Sequence, residues 1–445
     1  MTERRTEQQP TTVPEEARRA GEIWGRWSWV ELSVWTERML TALENGVKGG
    51  KWYSLMDKVY SLGNLRSAFG MVKANKGSPG IDHQTIEVFA TRLEENLGRI
   101  AQALRDGRYQ PQAIKRVWIP KPGSNEKRPL GIPTVRDRVV QAALRNVLEP
   151  VFEKDFADHS YGFRPGRGCK DALRQVDLLL KQGYTYVVDA DLKSYFDTIP
   201  HDLLMARIRD KLADNRILEL VELFLNQQIM ETTTGWTPEA GTPQGAVLSP
   251  LLSNIYLDPL DHLMARSGVN MFRYADDFVI LCRTETEALL ALDMVQRWTT
   301  QAGLSLHPTK TRIVDVTVLG GFDFLGYHFE RGKRWPRRKS EQKLKDAIRG
   351  KTRRRNGHSL LAIILDVNRT LRGWFEYFKH CHPYTFRPLD SWIRMRLRSI
   401  LRDRLGLRGR GRGADHQRWP NAFFAEQGLF SLVAAHAKAS HSSRR

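Results

Sequence analysis

The spacing of hydrophobic residues along the chain changes between a helical and a strand-like period. Apolar residues three to four positions apart predict helices over 24–70, 85–107, 135–156, 251–260 and 285–302, from His201 onward, and over most of the chain from Ser340. Short runs rich in β-branched and aromatic residues, bounded by turn residues, predict strands within 114–133, 184–192, 271–282 and 313–329. The pattern therefore predicts a mixed α/β region followed by a helical C-terminal region.

Two adjacent aspartates interrupt the strand-like run 271–282. Asp276 and Asp277 stand between two apolar segments, where a pair of carboxylates repel each other and are poorly solvated. A divalent cation such as Mg²⁺ prefers oxygen ligands and often lies between carboxylates and substrate phosphates. The pair therefore favours a metal site. An Asp-Asp turn that simply joins two strands remains an alternative at this point.

Length and composition exclude several classes of protein. The chain has 445 residues, enough for two or three domains, and no apolar run approaches the length of a membrane span. Its polar N-terminus is not typical of a secretory signal. Cys169, Cys282 and Cys381 are too widely spaced to suggest a disulfide framework or a zinc site. We therefore expect an intracellular protein without a membrane partner.

The net charge of +20 is concentrated at one end of the chain. Residues 331–445 hold 29 lysines and arginines against 8 acidic residues, whereas residues 1–330 hold 41 against 42. A segregated basic region indicates a polyanionic partner, of which nucleic acid is the leading candidate. A disordered basic tail is the alternative, but aromatic and aliphatic residues are interleaved with most of these arginines.

A third carboxylate extends the candidate metal site. Asp191 ends the predicted strand 184–192 and lies 85 residues before Asp276. If the two strands are neighbours in one sheet, Asp191, Asp276 and Asp277 converge on one edge, where three carboxylates suit two metal ions about 3.5–4 Å apart. Asp189 shares the face of Asp191 and is expected to support it. Asp197 and Asp258 are spare candidates.

At this point the chain resembles the reverse transcriptases. Tyr274-Ala-Asp-Asp277, Asp191 followed by Phe196, and the run 243–254 match the motifs of that family in order and spacing. The resemblance is greatest to bacterial group II intron-encoded reverse transcriptase/maturases, and it covers roughly residues 65–435. Further matching segments are 119–123, 128–133, 161–166, Lys310-Thr311, 322–326, 371–378 and 428–432.

The resemblance implies an α/β right-hand polymerase, in which fingers and a palm with a small antiparallel sheet precede an α-helical thumb. The implied organisation is an N-terminal extension over 1–60, partly disordered, with fingers and palm over 61–330. A basic helical thumb, the maturase-specific domain, covers 331–435, and a basic tail covers 436–445. The chain stops without the cysteine pairs of an HNH endonuclease domain, so we expect it to lack second-strand nicking activity of its own. Its primers are then expected to be nascent strands at replication forks or other nicks.

The resemblance also implies roles for individual residues. The expected catalytic and metal-binding residues are Asp191, Asp276 and Asp277, with two Mg²⁺ ions as cofactor. The expected nucleotide-binding residues are Lys121, Arg128, Phe196, Gln244 and Lys310. Lys121 and Arg128 match residues that grip a triphosphate, as a point charge and a bidentate donor.

Three of these roles have simpler alternatives. Phe196 matches the position that blocks a 2′-hydroxyl and selects deoxynucleotides, although a core aromatic is also expected there. Lys310 matches a residue beside the pyrophosphate leaving group, where it is a candidate general acid, but an exposed lysine is the alternative. Gln244 matches a residue that touches nucleotide or template, although Pro-Gln-Gly alone is an ordinary turn. Asn254 matches a helix residue with a structural role.

The same resemblance implies an RNA-binding role for the basic region. Its expected RNA-binding residues, which contact the RNA backbone, are Arg353, Arg354, Arg355, Arg369, Arg372, Arg394 and Arg398. Trp374 and Tyr377 are candidates for stacking on bases, but their helical spacing favours core packing.

The function implied is RNA-directed DNA synthesis together with intron maturation in a bacterial cytoplasm, associated with the nucleoid. The expected partners are intron RNA, an RNA template with a DNA primer, and dNTPs, with a homodimer as a further candidate assembly. A domesticated or defence-associated reverse transcriptase is one alternative function. An RNA-binding splicing factor without polymerase activity is another, disfavoured by the intact carboxylates.

Overall fold

The computed structural model describes residues 25–120, 127–231, 234–355, 357–407, 409, 411 and 413–442. Its strands are β1 (Ile114–Pro120), β2 (Lys127–Ile132), β3 (Tyr186–Asp191), β4 (Ile229–Glu231), β5 (Thr234–Trp236), β6 (Asn270–Tyr274), β7 (Asp277–Cys282), β8 (Arg312–Asp315), β9 (Phe322–Phe324), β10 (Tyr327–Glu330) and β11 (Lys333–Pro336).

The α-helices connect and cover these strands. They are α1 (Glu37–Asn45), α2 (Met56–Val59), α3 (Leu62–Asn75), α4 (Ile86–Thr91), α5 (Leu93–Arg105), α6 (Val135–Glu153), α7 (Cys169–Lys181), α8 (Tyr195–Thr198), α9 (His201–Arg209), α10 (Asn215–Leu225), α11 (Ser249–Arg266), α12 (Glu285–Gln301), α13 (Arg338–Lys351), α14 (Leu360–Phe378), α15 (Phe386–Arg404), α16 (Ala414–Arg418), α17 (Asn421–Glu426) and α18 (Leu432–Ser442). Short 3-10 turns cover Lys48–Gly50 and Pro383–Thr385.

The palm sheet has the strand order β6-β7-β3-β8, and all its neighbours are antiparallel. Alternate residues of its central strands enter two separate cores: Val188 and Ile280 pack on one face, and Val187 and Val279 on the other. Because both faces are covered, these strands are continuous apolar runs in the sequence rather than alternating ones.

The fingers sheet has the order β2-β1-β4-β5, with β1 antiparallel to β2 and parallel to β4. It packs directly on the palm loop that precedes α11. The backbone N–H of Gly131 donates to the carbonyl of Gln244 at 2.7 Å. A Cβ on Gly245, whose φ is +105°, would lie 2.6 Å from the carbonyl oxygen of Gly131. Glycine at these positions therefore allows the two backbones to touch.

The C-terminal helices share a core with the second face of the palm sheet. Apolar residues of α13, α14 and α15 pack with the small sheet β11-β10-β9 and with α18. The predicted boundary between residues 330 and 331 falls inside the β10–β11 hairpin, in which Glu330 pairs with Lys333. Strands on both sides of that boundary form one sheet, so the fold does not divide there. The predicted domain limits remain predictions.

The N-terminal region is folded from the first described residues. Trp27 and Trp35 are buried, and the Trp35 indole donates to the carbonyl of Asn146 in α6 at 2.9 Å. The predicted helix over 24–70 is divided into α1, α2 and α3, because Gly46 has a φ of +87° and ends the first. Residues 1–24 and 443–445, where a partly disordered extension and a basic tail were predicted, lie outside the described residues.

Within the described ranges, none of the helices combines the length and the apolar character needed to cross a membrane.

Candidate active site

The aspartate pair lies at a two-residue hairpin turn between β6 and β7. Tyr274 pairs with Asp277, which leaves Ala275 and Asp276 as the turn residues. Ala275 has a φ of +60°, a conformation that L-residues rarely adopt. A Cβ on Gly162, in the basic loop 162–168, would lie 2.2 Å from the nitrogen of Ala275. The loop therefore supports the strained turn by contact between two backbones.

A buried arginine anchors this turn from inside the palm. The fully buried Arg273 forms a bidentate ion pair with Asp261 of α11, whose side chain is also buried. Its remaining N–H groups donate to the carbonyl of Ala275 at 2.8 Å, to Asn254 Oδ1 at 3.0 Å and to Ser160 Oγ at 2.7 Å. Asn254 in turn donates to the carbonyl of Gly162 at 2.8 Å, which gives it the structural role expected from the sequence.

The three predicted carboxylates meet at the edge of the palm sheet. Asp191 is the register partner of Asp277 across β3 and β7, and Asp276 is the next residue in the turn. Burial, followed by repulsion from Asp189, Asp276 and Asp191, raises the pKa of Asp277 to about 7. Burial and Asp191 also raise the pKa of Asp276, against the opposing charges of Arg128 and Lys310. The positive charges of Arg128 and Lys310 therefore do not offset the burial and mutual repulsion that raise the pKa values of Asp276 and Asp277.

Two observations support a metal ion at this edge: the repulsion between the carboxylates, and the strand register that sets Asp191 opposite Asp277. In the part of the chain that the structure describes, no three histidine, cysteine or acidic side chains are arranged around a common metal position. Lys310 instead forms an ion pair with Asp191. Asp189, predicted as a supporting residue, lies opposite Arg312 with the two side chains 3.3 Å apart. The metal-ligand roles remain predictions.

Four of the five predicted nucleotide-binding residues lie in the described part of the chain: Lys310, which pairs with Asp191, and Arg128, Phe196 and Gln244. Phe196 is half-buried, with its ring centroid 6.5 Å from that of Phe163 in the basic loop, and Phe163 also contacts Tyr274 at 6.5 Å. Gln244 Nε2 donates to Asp197 Oδ2 at 3.4 Å. Arg128 is exposed on β2, close enough for its charge to act on Asp276.

Lys121 lies outside the described residues. No role was predicted for Phe163, although its place in the Tyr161-Gly-Phe-Arg-Pro-Gly166 motif was a signal for one.

The predicted RNA-binding arginines divide into two groups. Arg353, Arg354, Arg355, Arg369 and Arg372 are exposed and Arg394 is half-buried, so these six are accessible to RNA. Arg398 is 2% exposed and donates to the carbonyl of Trp419 and to Asn421 Oδ1, both at 2.9 Å. These bonds hold α15 to Trp419 and to the first residue of α17, and they leave the Arg398 guanidinium less accessible to RNA than the other six. Its RNA contact stays a prediction.

The two candidate stacking residues take part in core packing, as their helical spacing favoured. The ring centroid of Trp374 lies 4.8 Å from that of Phe378. The Tyr377 hydroxyl donates to the carbonyl of Leu325 at 2.7 Å.

Comparison with known families assigns two domains in order. Residues 119–329 match the reverse transcriptase (RNA-dependent DNA polymerase) family, and residues 341–419 match the maturase-specific domain of group II introns. The hairpin that carries Asp276 and Asp277 falls within the first domain, and the exposed arginines fall within the second.

Curated relatives agree with these domains. The chain is 33% identical over 345 residues to Protein YkfC of Escherichia coli (strain K12), which covers 68% of this chain and 89% of that protein. It is 40% identical over 196 residues to the group II intron-encoded protein LtrA of Lactococcus lactis subsp. cremoris, which covers 44% of this chain and 32% of LtrA. The chain thus spans about a third of the length of that intron-encoded relative.

Solved structures are more distant. A partial Cas6-RT-Cas1–Cas2 complex matches at 25% identity with a TM-score of 0.36, over 56% of this chain and 41% of that chain. Telomerase from Candida albicans in complex with a telomeric RNA fragment matches at 14% identity with a TM-score of 0.41, over 72% and 64%. These scores are too low to support an argument. On its two domains and its match to nearly the whole of a curated relative, the chain belongs to the family of group II intron reverse transcriptase/maturases.

Proposed function

We propose that this chain is an RNA-directed DNA polymerase and the maturase of a mobile group II intron. It would bind the intron RNA to promote splicing and copy it into cDNA. The observation that carries the polymerase proposal is the register that sets Asp191 opposite Asp277, beside Asp276 in the turn. The exposed arginines of the attached helical domain support the proposal of RNA binding.

Asp191, Asp276 and Asp277 would hold two Mg²⁺ ions. When bound, such ions activate the primer 3′-hydroxyl and stabilise the leaving phosphate oxygen. The elevated pKa of Asp277, about 7, supports this assignment, because buried carboxylates that repel one another are the donor set that a hard cation stabilises. Arg128, with Lys121, would bind the triphosphate of the incoming dNTP, and Lys310 would act on the departing pyrophosphate.

Primer extension on an RNA template tests the catalytic assignment. Asp276→Asn and Asp277→Asn should each abolish incorporation of dNTPs in the presence of Mg²⁺. The matched control is Asp293→Asn, which removes a half-exposed carboxylate from α12, remote in the sequence from the catalytic turn. Extension by either catalytic variant at the rate of the control would overturn the metal assignment.

Phe196 is proposed to select deoxynucleotides. Its half-buried ring is held between Tyr195 and Phe163, so it presents a fixed surface rather than a mobile side chain. Phe196→Ala should raise incorporation of ribonucleotides relative to deoxynucleotides, and Phe196→Tyr should keep the original preference. An unchanged preference in the alanine variant would assign Phe196 to core packing alone.

The maturase activity is separable from polymerisation. Asp276→Asn should still promote splicing of the cognate intron RNA, because it leaves the basic helical domain intact. Replacing Arg353, Arg354 and Arg355 together with glutamine should weaken intron binding and reduce its dependence on salt. Intron affinity that is unchanged in the triple variant would contradict the proposed surface. The homodimer remains a prediction, which light scattering of the purified chain would test.

A further inference from the structure

Phe163, in the basic loop 162–168, has a backbone conformation that none of the predicted roles explains. Its φ is +60°, in the left-handed region, where a bulky aromatic residue is an outlier. Backbone strain of this kind persists only where the surrounding structure imposes it, and it concentrates at functional sites. The outlier therefore points to a function for the Phe163 side chain, which its contacts identify.

The residues on either side hold the strained backbone in place. The carbonyl of Gly162 accepts a hydrogen bond from Asn254 Nδ2 at 2.8 Å. The buried Arg164 donates from Nε and Nη2 to Glu153 Oε1, at 2.9 and 2.8 Å. Neither of these anchors uses the ring of Phe163. The loop backbone therefore sets the position of that ring.

The Phe163 ring is exposed rather than part of a core. The residue is 41% exposed, and among the described residues it belongs to neither of the two hydrophobic cores. A side chain that keeps this much surface in water gains little stability from burial. Core packing therefore does not account for a phenylalanine in a strained conformation.

The ring contacts aromatic side chains on two different elements. Its centroid lies 6.5 Å from that of Phe196 on α8, with the two rings at 74° in an edge contact. It also lies 6.5 Å from the ring centroid of Tyr274, which precedes the turn that carries Asp276. Both distances fall within the range of interacting aromatic pairs. Phe163 thus joins α8 to the aspartate hairpin.

Phe196 has two aromatic supports, and they differ in kind. The ring of Tyr195 lies 5.5 Å from that of Phe196. Tyr195 is 2% exposed and its hydroxyl donates to the carbonyl of Ser253 at 2.7 Å, so this support belongs to the core. The support from Phe163 comes instead from the exposed loop. The position of the Phe196 ring therefore depends on Phe163 as well as on the core.

We infer that Phe163 is a positioning residue that fixes the Phe196 ring and thereby sets how strictly ribonucleotides are rejected. A ring excludes a 2′-hydroxyl only as far as it cannot move aside, and a shift of about 1 Å is enough to alter the fit at a reacting centre. Without the Phe163 ring, Phe196 is supported on one side and yields to the hydroxyl. The inference rests on the sugar selection proposed for Phe196 and adds a residue that acts through it.

Primer extension with single nucleotides tests this role. The full chain is given an RNA template, a DNA primer and Mg²⁺, and kcat/KM is measured for a ribonucleotide and for the matching deoxynucleotide. Phe163→Ala should raise the ratio of the two by about 10-fold in favour of the ribonucleotide. The kcat for the deoxynucleotide should fall by less than about 3-fold, because Arg273 still holds the hairpin. Phe163→Tyr keeps the ring and should keep the original ratio.

Phe163→Gly separates the ring from the backbone. Glycine adopts a φ of +60° without strain, so this variant removes the ring and favours the native loop. It should raise the ratio as much as alanine does, and a ratio raised by alanine alone would overturn the inference. The matched control is Tyr53→Ala, which removes a 58% exposed aromatic ring beside Trp52, whose backbone pairs with Leu212. It should leave the ratio unchanged.

The double variant Phe163→Ala/Phe196→Ala tests whether Phe163 acts through Phe196. Its ratio should lie within about 2-fold of that of Phe196→Ala alone, since the ring to be positioned is already absent. Two effects that multiply would overturn the inference.

The inference and the function on which it rests fail differently. A ratio that Phe196→Ala raises and Phe163→Ala leaves unchanged would overturn the inference and keep the proposed role of Phe196. If Phe196→Ala leaves the ratio unchanged, both are wrong. An unmodified chain that extends no primer would contradict the polymerase function itself, and the inference with it.

Discussion

Replacing Arg273 with methionine is expected to destabilise the fold more than any exposed substitution. Arg273 is 0% exposed and its partner Asp261 is 4% exposed. Methionine fills similar space, but it leaves the Asp261 carboxylate buried without a counter-charge. Removing one partner of a buried ion pair costs about 3–5 kcal/mol, because the other charge remains desolvated and unpaired. That is a large share of the roughly 5–15 kcal/mol by which domains are stable.

Urea unfolding followed by circular dichroism measures this effect, and a double-mutant cycle assigns it to the pair. The control is Arg297→Met on α12, which removes an exposed arginine from an ion pair with Asp293 and should cause no measurable change. Arg273→Met/Asp261→Leu should recover much of the lost stability, since neither charge is then left alone.

Two outcomes would refute this reasoning. If Arg273→Met is no less stable than Arg297→Met, the buried network does not hold the hairpin. If the double variant is as unstable as the two single losses added together, the cost comes from lost packing rather than from an unpaired charge. Arg273→Lys separates charge from geometry: it keeps the cation but lacks the planar fork that meets Asp261 in a bidentate manner.

Three further outcomes follow from the same contacts. Because the folded-state pKa of Asp277, about 7, lies above its ordinary 3.8, its ionisation opposes folding as the pH rises between those values. Asp277→Asn in EDTA should therefore be more stable than the unmodified chain at pH 8, by about 2–4 kcal/mol, and no more stable near pH 4, as thermal unfolding will show. Gly162→Ala should lower the free energy of unfolding in urea by about 1–3 kcal/mol and abolish primer extension, because its Cβ would clash with the backbone of Ala275. Arg398→Met should destabilise the chain by about 2 kcal/mol in urea unfolding, whereas Arg369→Met should leave stability unchanged and weaken RNA binding in a filter assay.

The sequence predicted the palm well because its signals are local. The strands β3, β6 and β7 are apolar runs with turn residues at their ends, and Asp191 and Asp277 stand at those ends. Once two such strands are neighbours, the two-residue periodicity of a strand decides which side chains meet. Only the register, which pairs Asp191 with Asp277, had to come from the structure.

Partners distant in sequence were not predictable in the same way. Arg273 was visible as a single charge in an apolar run, but nothing local pointed to Ser160, 113 residues earlier. Arg398 lies four residues after Arg394, a helical spacing that predicts one basic face. Its burial depends on Trp419 and Asn421, which fold back onto α15 from beyond its end.

The compensation of charge distinguishes Arg273 from Asp277 in this hairpin. Arg273 and Asp277 lie four residues apart; Arg273 is fully buried and Asp277 is half-buried. Arg273 has a bidentate carboxylate and three further acceptors, so its charge is fully satisfied and serves to hold the turn. Asp277 faces other carboxylates, which leave its charge uncompensated and its pKa near 7. A fold retains an uncompensated buried carboxylate at a cost to stability, and such groups concentrate at functional sites. The electrostatics of the turn thus favour Asp277 as the group that binds a cation and Arg273 as the group that holds the turn in place.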